Sequence, residues 1–180
     1  MRRLILAVFV VLLMPLSYAN NAVVNLSENV KLQLNLLAKQ IPKERILNIQ
    51  QFKTLYDSVM NGKEKAYLID VRTDAEFMAG HIAGTDHFRA GQIYKLPDFI
   101  KNPDEKIVIF CETKRRAIYA VNQLMSYGYK NVWLYDDGIE GWIKRGYPLV
   151  NKFLGKIKVI EYHHPFQGQT FDPYRLRNEI

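Results

Sequence analysis

The sequence predicts an α/β fold in which a parallel sheet is covered by helices on both faces. Short apolar runs rich in β-branched residues alternate with helical patterns, and the strand signals fall at residues 46–49, 66–71, 107–110 and 131–135. A continuous apolar run of this kind is typical of a buried parallel strand. Repeated strand and helix units with short connections then build one sheet with both faces covered.

The helices are predicted from apolar spacing and from their end signals. In the first, Val30, Leu34, Leu37 and Ile41 share one face, Ser27 is the predicted cap and Pro42 the end. Later helices are predicted within 52–61, from Thr73 or Asp74 to Gly80, over 116–127, and around Trp142, which we expect in the core. Residues 83–91, including His87, are predicted to form a loop, and residues 93–100 hold at most a short helix.

The chain starts with the pattern of an export signal. Arg2 and Arg3 precede an apolar run over residues 4–13, and Ser17-Tyr18-Ala19 supplies small residues at a cleavage site. We therefore expect residues 1–19 to be a signal peptide that is cleaved after Ala19, and the mature protein to be periplasmic. The alternative is a retained anchor, but ten apolar residues are short for a span of about 20.

The length of the rest of the chain is typical of one domain with an extension at each end. We assign residues 20–45 to an N-terminal helical extension, 46–150 to the main domain and 151–180 to a C-terminal extension in which residues 156–162 alternate like an edge strand. The 180 residues are 48% hydrophobic, which suffices for a packed core, and the net charge is +7. A net positive charge is compatible with anionic substrates. The sequence contains no signature of nucleic-acid binding, so no nucleic-acid partner is expected.

Cys111 is the only cysteine, so it cannot form an internal disulfide. It lies between the apolar run at 107–110 and a helical pattern, at the carboxyl end of a predicted strand, where ligand sites of such sheets lie. The amides that open the helix, together with Lys114, Arg115 and Arg116, favour a thiolate and the anion that it attacks.

Three segments together closely resemble the rhodanese (sulfurtransferase) domain family: LIDVRTDAEFMAGHIAG, IVIFCETKRRA and LMSYGYKNVWLYDDGIEGW. The resemblance covers about residues 46–149. It implies a rhodanese-like fold with about five parallel strands, and a cysteine loop that carries a persulfide. Sulfane sulfur would pass from thiosulfate or a persulfide donor to a thiol or cyanide acceptor.

The resemblance also implies the site residues. Cys111 would be the nucleophile, and Arg116 would bind the donor and hold the loop. Further substrate-binding candidates are Lys114, Arg115 and Arg72, together with Glu112 and Thr113, which supply backbone amides. For Asp70, Arg72, Glu76 and His81, structural pairing is the preferred interpretation.

The loop from Cys111 to Arg116 has six residues, as in sulfurtransferases, whereas phosphatases of this fold have one more. Lys114, Ala117 and Asp137 depart from the family pattern, where glycine, serine and glycine are common.

Two rival functions stay open. One is a non-catalytic rhodanese-fold binding module that docks a periplasmic or membrane partner through its N-terminal helix and C-terminal tail. The other, weaker one is a cysteine-dependent phosphatase or arsenate-type reductase. No cofactor and no metal are expected, since the adjacent His163 and His164 rarely ligate one ion together and no acidic or cysteine cluster completes a set.

Overall fold

Five parallel strands form the central sheet, which confirms the predicted fold class. The computed structural model describes residues 26–162 and 174–178. In spatial order the strands run β1-β5-β4-β2-β3. They are β1 (Ile46–Leu47), β2 (Tyr67–Asp70), β3 (Asp86–His87), β4 (Ile107–Phe110) and β5 (Val132–Tyr135). The central strand β4 is fully buried, as its unbroken apolar run predicts.

Helices cover both faces of this sheet. They are α1 (Leu26–Gln40), α2 (Ile49–Met60), α3 (Asp74–Ala79), α4 (Leu96–Phe99), α5 (Arg115–Ser126) and α6 (Gly138–Lys144), with 3-10 helices at Lys43–Arg45 and Ala90–Lys95. One core cluster lies against α5 and the other against α2 and α6, and alternate residues of β4 enter each cluster. Trp142, 3% exposed, belongs to the second cluster, as predicted. Within the described residues, no helix combines the length and the apolar character that a membrane span requires.

Helix α1 packs on α5 beside the sheet. Leu37, Ala38 and Ile41 join the first core cluster, and Asn122 Nδ2 donates to the Leu37 carbonyl at 3.1 Å. The prediction for the start of this helix is wrong in two details. Ser27 lies inside the helix instead of capping it, and Val30 is 51% exposed because the packed part of the face begins further along the helix.

The predicted loop at 83–91 is not wholly irregular. It contains β3, which pairs with β2 through Asp86 and His87, and its last residues begin the second 3-10 helix. A two-residue strand is too short to produce a periodic pattern, which is why the sequence did not indicate it. The amides of Phe88 and Ala90 donate to the carbonyls of Asp70 and Val71, so the segment is fixed to the end of β2.

The last residues of the main domain and the C-terminal extension together form a second, antiparallel sheet. It contains β6 (Leu149–Asn151), β7 (Gly155–Tyr162) and β8 (Tyr174–Asn178), and β7 confirms the alternating strand predicted at 156–162. Ile157 and Leu149 are buried in the second core cluster, so this sheet is packed on the main domain. The predictions made for residues 1–25, the signal peptide included, and for His163 and His164 lie outside the described residues.

Candidate active site

Cys111 follows the last residue of β4 and precedes α5, as the strand-to-helix pattern predicted. Asp70 of β2 pairs with Phe110 of β4, and the amide of Val71 donates to the Phe110 carbonyl at 2.8 Å. The cysteine therefore follows the carboxyl end of β4, the central strand of the sheet. Its side chain is 1% exposed and belongs to the first core cluster.

Backbone amides converge on the Cys111 sulfur. Burial raises the pKa of the thiol above its ordinary value, while the N–H groups of Ala117, Arg116 and Thr113 and the charge of Arg116 act to lower it. Amides and cations near Cys111 favour a thiolate, as the sequence indicates, but desolvation outweighs them in the resting thiol. The amides stabilise the negative charge of the thiolate once it forms.

Gly138 supports this loop from the opposite side. The amides of Ile139 and Glu140 donate to the carbonyls of Cys111 and Glu112 at 2.9 and 3.0 Å. At Gly138 the backbone φ is +59°, and a Cβ there would lie 2.4 to 2.5 Å from three consecutive loop carbonyl oxygens, those of Cys111, Glu112 and Thr113. These carbonyls face Gly138, and this leaves the loop amides free to point toward the sulfur.

The sequence alone did not identify Gly138 as part of the site. The Asp137-Gly138 pair was interpreted as a departure from two glycines, whereas the structure uses the two residues differently. Asp137 Oδ2 accepts from the amide of Ile49 at 2.7 Å, at the start of α2, and Gly138 provides the space. The sequence feature that could have pointed to Gly138 is the Asp-Asp-Gly turn at 136–138, directly before a predicted helix.

Arg116 is held by Glu76 of α3. Its Nη1 and Nη2 donate to the two carboxylate oxygens of Glu76 at 2.6 and 2.7 Å, and Glu112 Oε2 lies 3.7 Å from Nη2. The Arg116 side chain is 34% exposed. A bidentate ion pair of this kind fixes the guanidinium in one orientation. This geometry is compatible with the predicted role of Arg116 in holding the loop. Contact with a donor stays a prediction.

The pairing of Glu76 gives its carboxylate a distinct pH response. Burial acts to raise the pKa of Glu76, but hydrogen bonds from Arg116 and Thr73 outweigh it and lower the pKa from 4.5 to about 2. A depressed pKa stabilises the fold above about pH 4.5, and this stabilisation is lost as the pH falls toward 2. We expect Glu76→Gln to lower the free energy of unfolding near neutral pH by about 1 to 2 kcal/mol, so that the variant unfolds at a lower urea concentration.

The measurement is urea unfolding of both proteins at a series of pH values. The difference between wild type and Glu76→Gln should be constant above about pH 5 and shrink between pH 4.5 and 2, where the native carboxylate takes up its proton. Glu28→Gln, which removes an exposed carboxylate from α1, is the control and should follow the wild type closely. A difference for Glu76→Gln that does not change with pH would contradict the assignment.

The remaining loop residues differ in exposure. Lys114 and Arg115 are exposed, and Lys114 Nζ lies 3.5 Å from Asp136 Oδ1. Lys114 has φ −136°, so this backbone does not require the glycine that is common at its position. Glu112 is buried beside Arg116, and Thr113 is half-buried. Their substrate-binding roles stay predictions.

Arg72 lies buried after the end of β2 and does not reach the surface. It is fully buried, its Nε and Nη2 contact the carboxylate of Asp70 at 2.7 to 3.1 Å, and Nη2 also donates to the Gly80 carbonyl at 2.7 Å. This placement leaves its side chain no surface for a substrate. It agrees with the structural pairing that was the preferred interpretation of Asp70 and Arg72.

The two histidines of this region pack on one aromatic ring. Phe77 of α3 stacks with His81 at 3.9 Å and with His87 at 4.4 Å between ring centroids. His81 Nδ1 contacts the Phe77 carbonyl, and His87 Nε2 contacts the Arg72 carbonyl, each at 2.9 Å. Both rings therefore stabilise the end of β2 and α3. In the described part of the chain, no group of three or more His, Cys, Asp or Glu side chains is placed to hold a metal.

Comparison with known proteins agrees with this architecture. The sequence model of the Rhodanese-like domain family matches residues 52–145, which is more than half of the chain. The chain therefore belongs to the rhodanese family. Thiosulfate sulfurtransferase GlpE of Pseudomonas putida is 30% identical over 106 residues, covering 58% of this chain and 84% of the relative.

Solved structures share the fold. The polysulfide-sulfur transferase homodimer of Wolinella succinogenes superposes with a TM-score of 0.55 at 22% identity, covering 78% of this chain and 96% of that chain. A thiosulfate sulfurtransferase of Pseudomonas aeruginosa gives a TM-score of 0.57 at 19% identity, covering 68% of this chain and 23% of the longer chain. The likeness in sequence to GlpE supports a sulfurtransferase-like function in general terms, whereas the two solved structures show the shared fold alone.

Proposed function

We propose that the protein transfers sulfane sulfur from thiosulfate or a persulfide donor to a thiol or cyanide acceptor through a persulfide on Cys111. The observation that carries the proposal is the convergence of the Thr113, Arg116 and Ala117 amides on the cysteine sulfur. A persulfide extends the side chain by one negatively charged sulfur, and inward-pointing amides can replace the water that such a charge would otherwise need.

The proposed reaction has two displacement steps. In the first, the Cys111 thiolate attacks the outer sulfur of thiosulfate, the S–S bond of the donor breaks, and sulfite leaves with the bonding electron pair. In the second, an acceptor thiolate or the carbon of cyanide attacks the outer sulfur of the persulfide and regenerates the Cys111 thiolate. Both steps balance without an external oxidant or reductant.

The surroundings of Cys111 suit this sequence of steps. The carbonyls of the loop face Gly138, so the negative charge of a thiolate or persulfide meets amide hydrogens instead of carbonyl oxygens. Arg116, held by Glu76, adds a fixed positive charge whose interaction with Cys111 lowers the thiol pKa. Burial excludes water from the persulfide. We propose further that the protein works in the periplasm after cleavage behind Ala19, on the pattern of residues 1–19 alone.

The test is intact-mass measurement of the mature protein after incubation with thiosulfate. We expect a gain of one sulfur atom per chain, its loss on addition of cyanide, and the appearance of thiocyanate. Cys111→Ser should show no gain, because a serine hydroxyl is not a comparable nucleophile at neutral pH. Since Cys111 is the only cysteine, the adduct can be assigned without further mapping.

Absence of the adduct with thiosulfate and with organic persulfides would overturn the proposal. It would favour the binding-module alternative, in which the N-terminal helix and the C-terminal tail dock a periplasmic or membrane partner. Hydrolysis of a phosphate monoester that depends on Cys111 would instead favour the phosphatase alternative.

A further inference from the structure

A cavity of about 420 Å³ opens beside the cysteine loop. It is lined by residues 71–73, 89–92 and Arg116, and we call it the arginine cavity. Val71 and Ala90 line it and also pack in the core cluster that contains Cys111. The arginine cavity is therefore on the face of the sheet that holds the cysteine side chain.

Two arginines at this cavity have at least partly exposed side chains, Arg89 and Arg116. Arg72 also lines it, but its side chain is fully buried on Asp70, and none of the lining residues carries a carboxylate. A second opening of about 470 Å³, between α1 and the loop, includes Asp136 in its lining, and Lys114 lies 3.5 Å from that carboxylate. This lateral groove also contains Lys31, Lys114 and Arg115. Of the two openings, however, only the arginine cavity is lined by Arg116, whose charge acts on the Cys111 thiol, so an anion held there lies beside that cation.

The three arginines differ in how firmly they are paired. Arg72 is fully buried on Asp70, and Arg116 is held by both oxygens of Glu76. Arg89 has a weaker partner, since its Nη1 lies 3.3 Å from Asp74 Oδ2 and the Asp74 side chain is 61% exposed. Exposed pairs of this kind contribute little and are screened by salt. Arg89 is thus the cation that an incoming anion can recruit.

Gly91 lines the arginine cavity. A Cβ placed on Gly91 would have no neighbouring heavy atom within 4 Å, so a large side chain can be introduced there without moving the core. The adjoining 3-10 helix packs on α5, so the wall that carries Arg89 and Gly91 is fixed relative to the loop.

We propose that the arginine cavity is the entry site for the anionic sulfur donor, and that Arg89 selects donors of higher negative charge. This inference rests on the proposed function but names the face of the loop that the donor approaches and a residue that recognises it. Arg89 would contact the sulfonate oxygens of a thiosulfate-type dianion, while the outer sulfur is directed to Cys111.

The kinetic test compares two donors that differ in charge. Thiosulfate is a dianion, whereas benzenethiosulfonate is a monoanion that delivers its outer sulfur and leaves as a sulfinate. Arg89→Gln should raise the KM for thiosulfate about three- to tenfold and that for benzenethiosulfonate less, with kcat little changed. Asp74→Asn, which removes the carboxylate competing for Arg89, should lower the KM for thiosulfate. Lys101→Gln, a charge-matched control on the segment before β4, should change neither value.

A steric variant tests the path independently of charge. Gly91→Trp should reduce transfer from both donors by at least about tenfold because the side chain fills the entrance, whereas Lys95→Trp, at the exposed end of the same 3-10 helix, should not. Equal kinetics of Arg89→Gln and Lys101→Gln, or full activity of Gly91→Trp, would overturn the inference.

A binding experiment separates failure of this inference from failure of the proposed function. Thiosulfate titrated into the non-reacting Cys111→Ser variant should shift the backbone amide NMR signals of residues 73, 89–92 and 116, and Arg89→Gln should weaken the binding. Shifts centred on α1, Lys114 and Arg115, or no localised shift, would overturn it. Binding at the arginine cavity without any Cys111 adduct in the wild type would support the entry site and reject the sulfur transfer.

Discussion

Gly138→Ala is expected to abolish most of the persulfide-forming activity and to destabilise the fold by about 2 to 4 kcal/mol. The new Cβ would lie 2.4 to 2.5 Å from the carbonyl oxygens of Cys111, Glu112 and Thr113. All three are backbone atoms, so no flexible side chain can move aside to relieve the clash. The loop must shift, and the amides that face the sulfur shift with it.

Gly138→Ala should form the persulfide much more slowly than the wild type even when the variant is fully folded. Displacement of a preorganised amide donor costs about 10²- to 10³-fold in rate, and here several donors belong to the displaced segment. The measurement is the rate of persulfide formation at a temperature where circular dichroism shows the variant to be folded, together with urea unfolding.

Gly62→Ala is the matched control for this variant. Gly62 has a similar backbone conformation, φ +68° against +59° at Gly138, but a Cβ there would meet nothing within 4 Å. It should therefore show only the cost of a left-handed alanine, about 1 kcal/mol, and full activity. Equal effects of the two substitutions would show that backbone conformation alone, and not the contact with the loop, explains the role of Gly138.

Local patterns in the sequence were sufficient for four of the five strands of the parallel sheet and for the position of Cys111. The unbroken apolar run of β4 and the amphipathic α5 are recorded in adjacent residues, so periodicity predicts them. The short strand β3 has no such pattern. It exists because Asp86 and His87 pair with the end of β2, and this depends on contacts made after the sheet has formed.

The parts of the site that the sequence did not predict are contacts between distant segments. Glu76 and Arg116 are 40 positions apart, and Gly138 meets carbonyls more than 20 positions before it. The direction of the Cys111 pKa shift likewise depends on contacts made only in the folded protein. Nearby positive charges and helix amides are visible in the sequence, but the depth of burial that outweighs them is a property of the folded core.

Breaking the buried Asp70–Arg72 pair is expected to produce the largest loss of stability. Both side chains are fully buried, and the guanidinium contacts the carboxylate through Nε and Nη2. Asp70→Ala would remove the carboxylate that compensates this buried guanidinium, which keeps its hydrogen bond to the Gly80 carbonyl. Removal of one member of a buried ion pair typically costs about 3 to 5 kcal/mol. The measurement is the free energy of unfolding in urea.

A double-mutant cycle with Arg72→Met distinguishes the pair from two independent residues. The Asp70→Ala/Arg72→Met protein should be more stable than the sum of the single losses predicts, by about 2 kcal/mol or more, because neither buried charge is then present. Lys144→Ala, which removes an exposed pair with Glu140, should cost less than about 1 kcal/mol. Losses for Asp70→Ala and Arg72→Met that add within about 0.5 kcal/mol would contradict the coupling.

The same pair should affect the site at a distance. Arg72 connects the end of β2 with Gly80 after α3, and α3 carries Glu76, which fixes Arg116. Asp70→Ala, measured below its unfolding transition, should therefore form the Cys111 persulfide more slowly, and the double variant should recover part of the rate. A rate equal to that of the wild type in folded Asp70→Ala would show that the buried pair supports the fold without positioning Arg116.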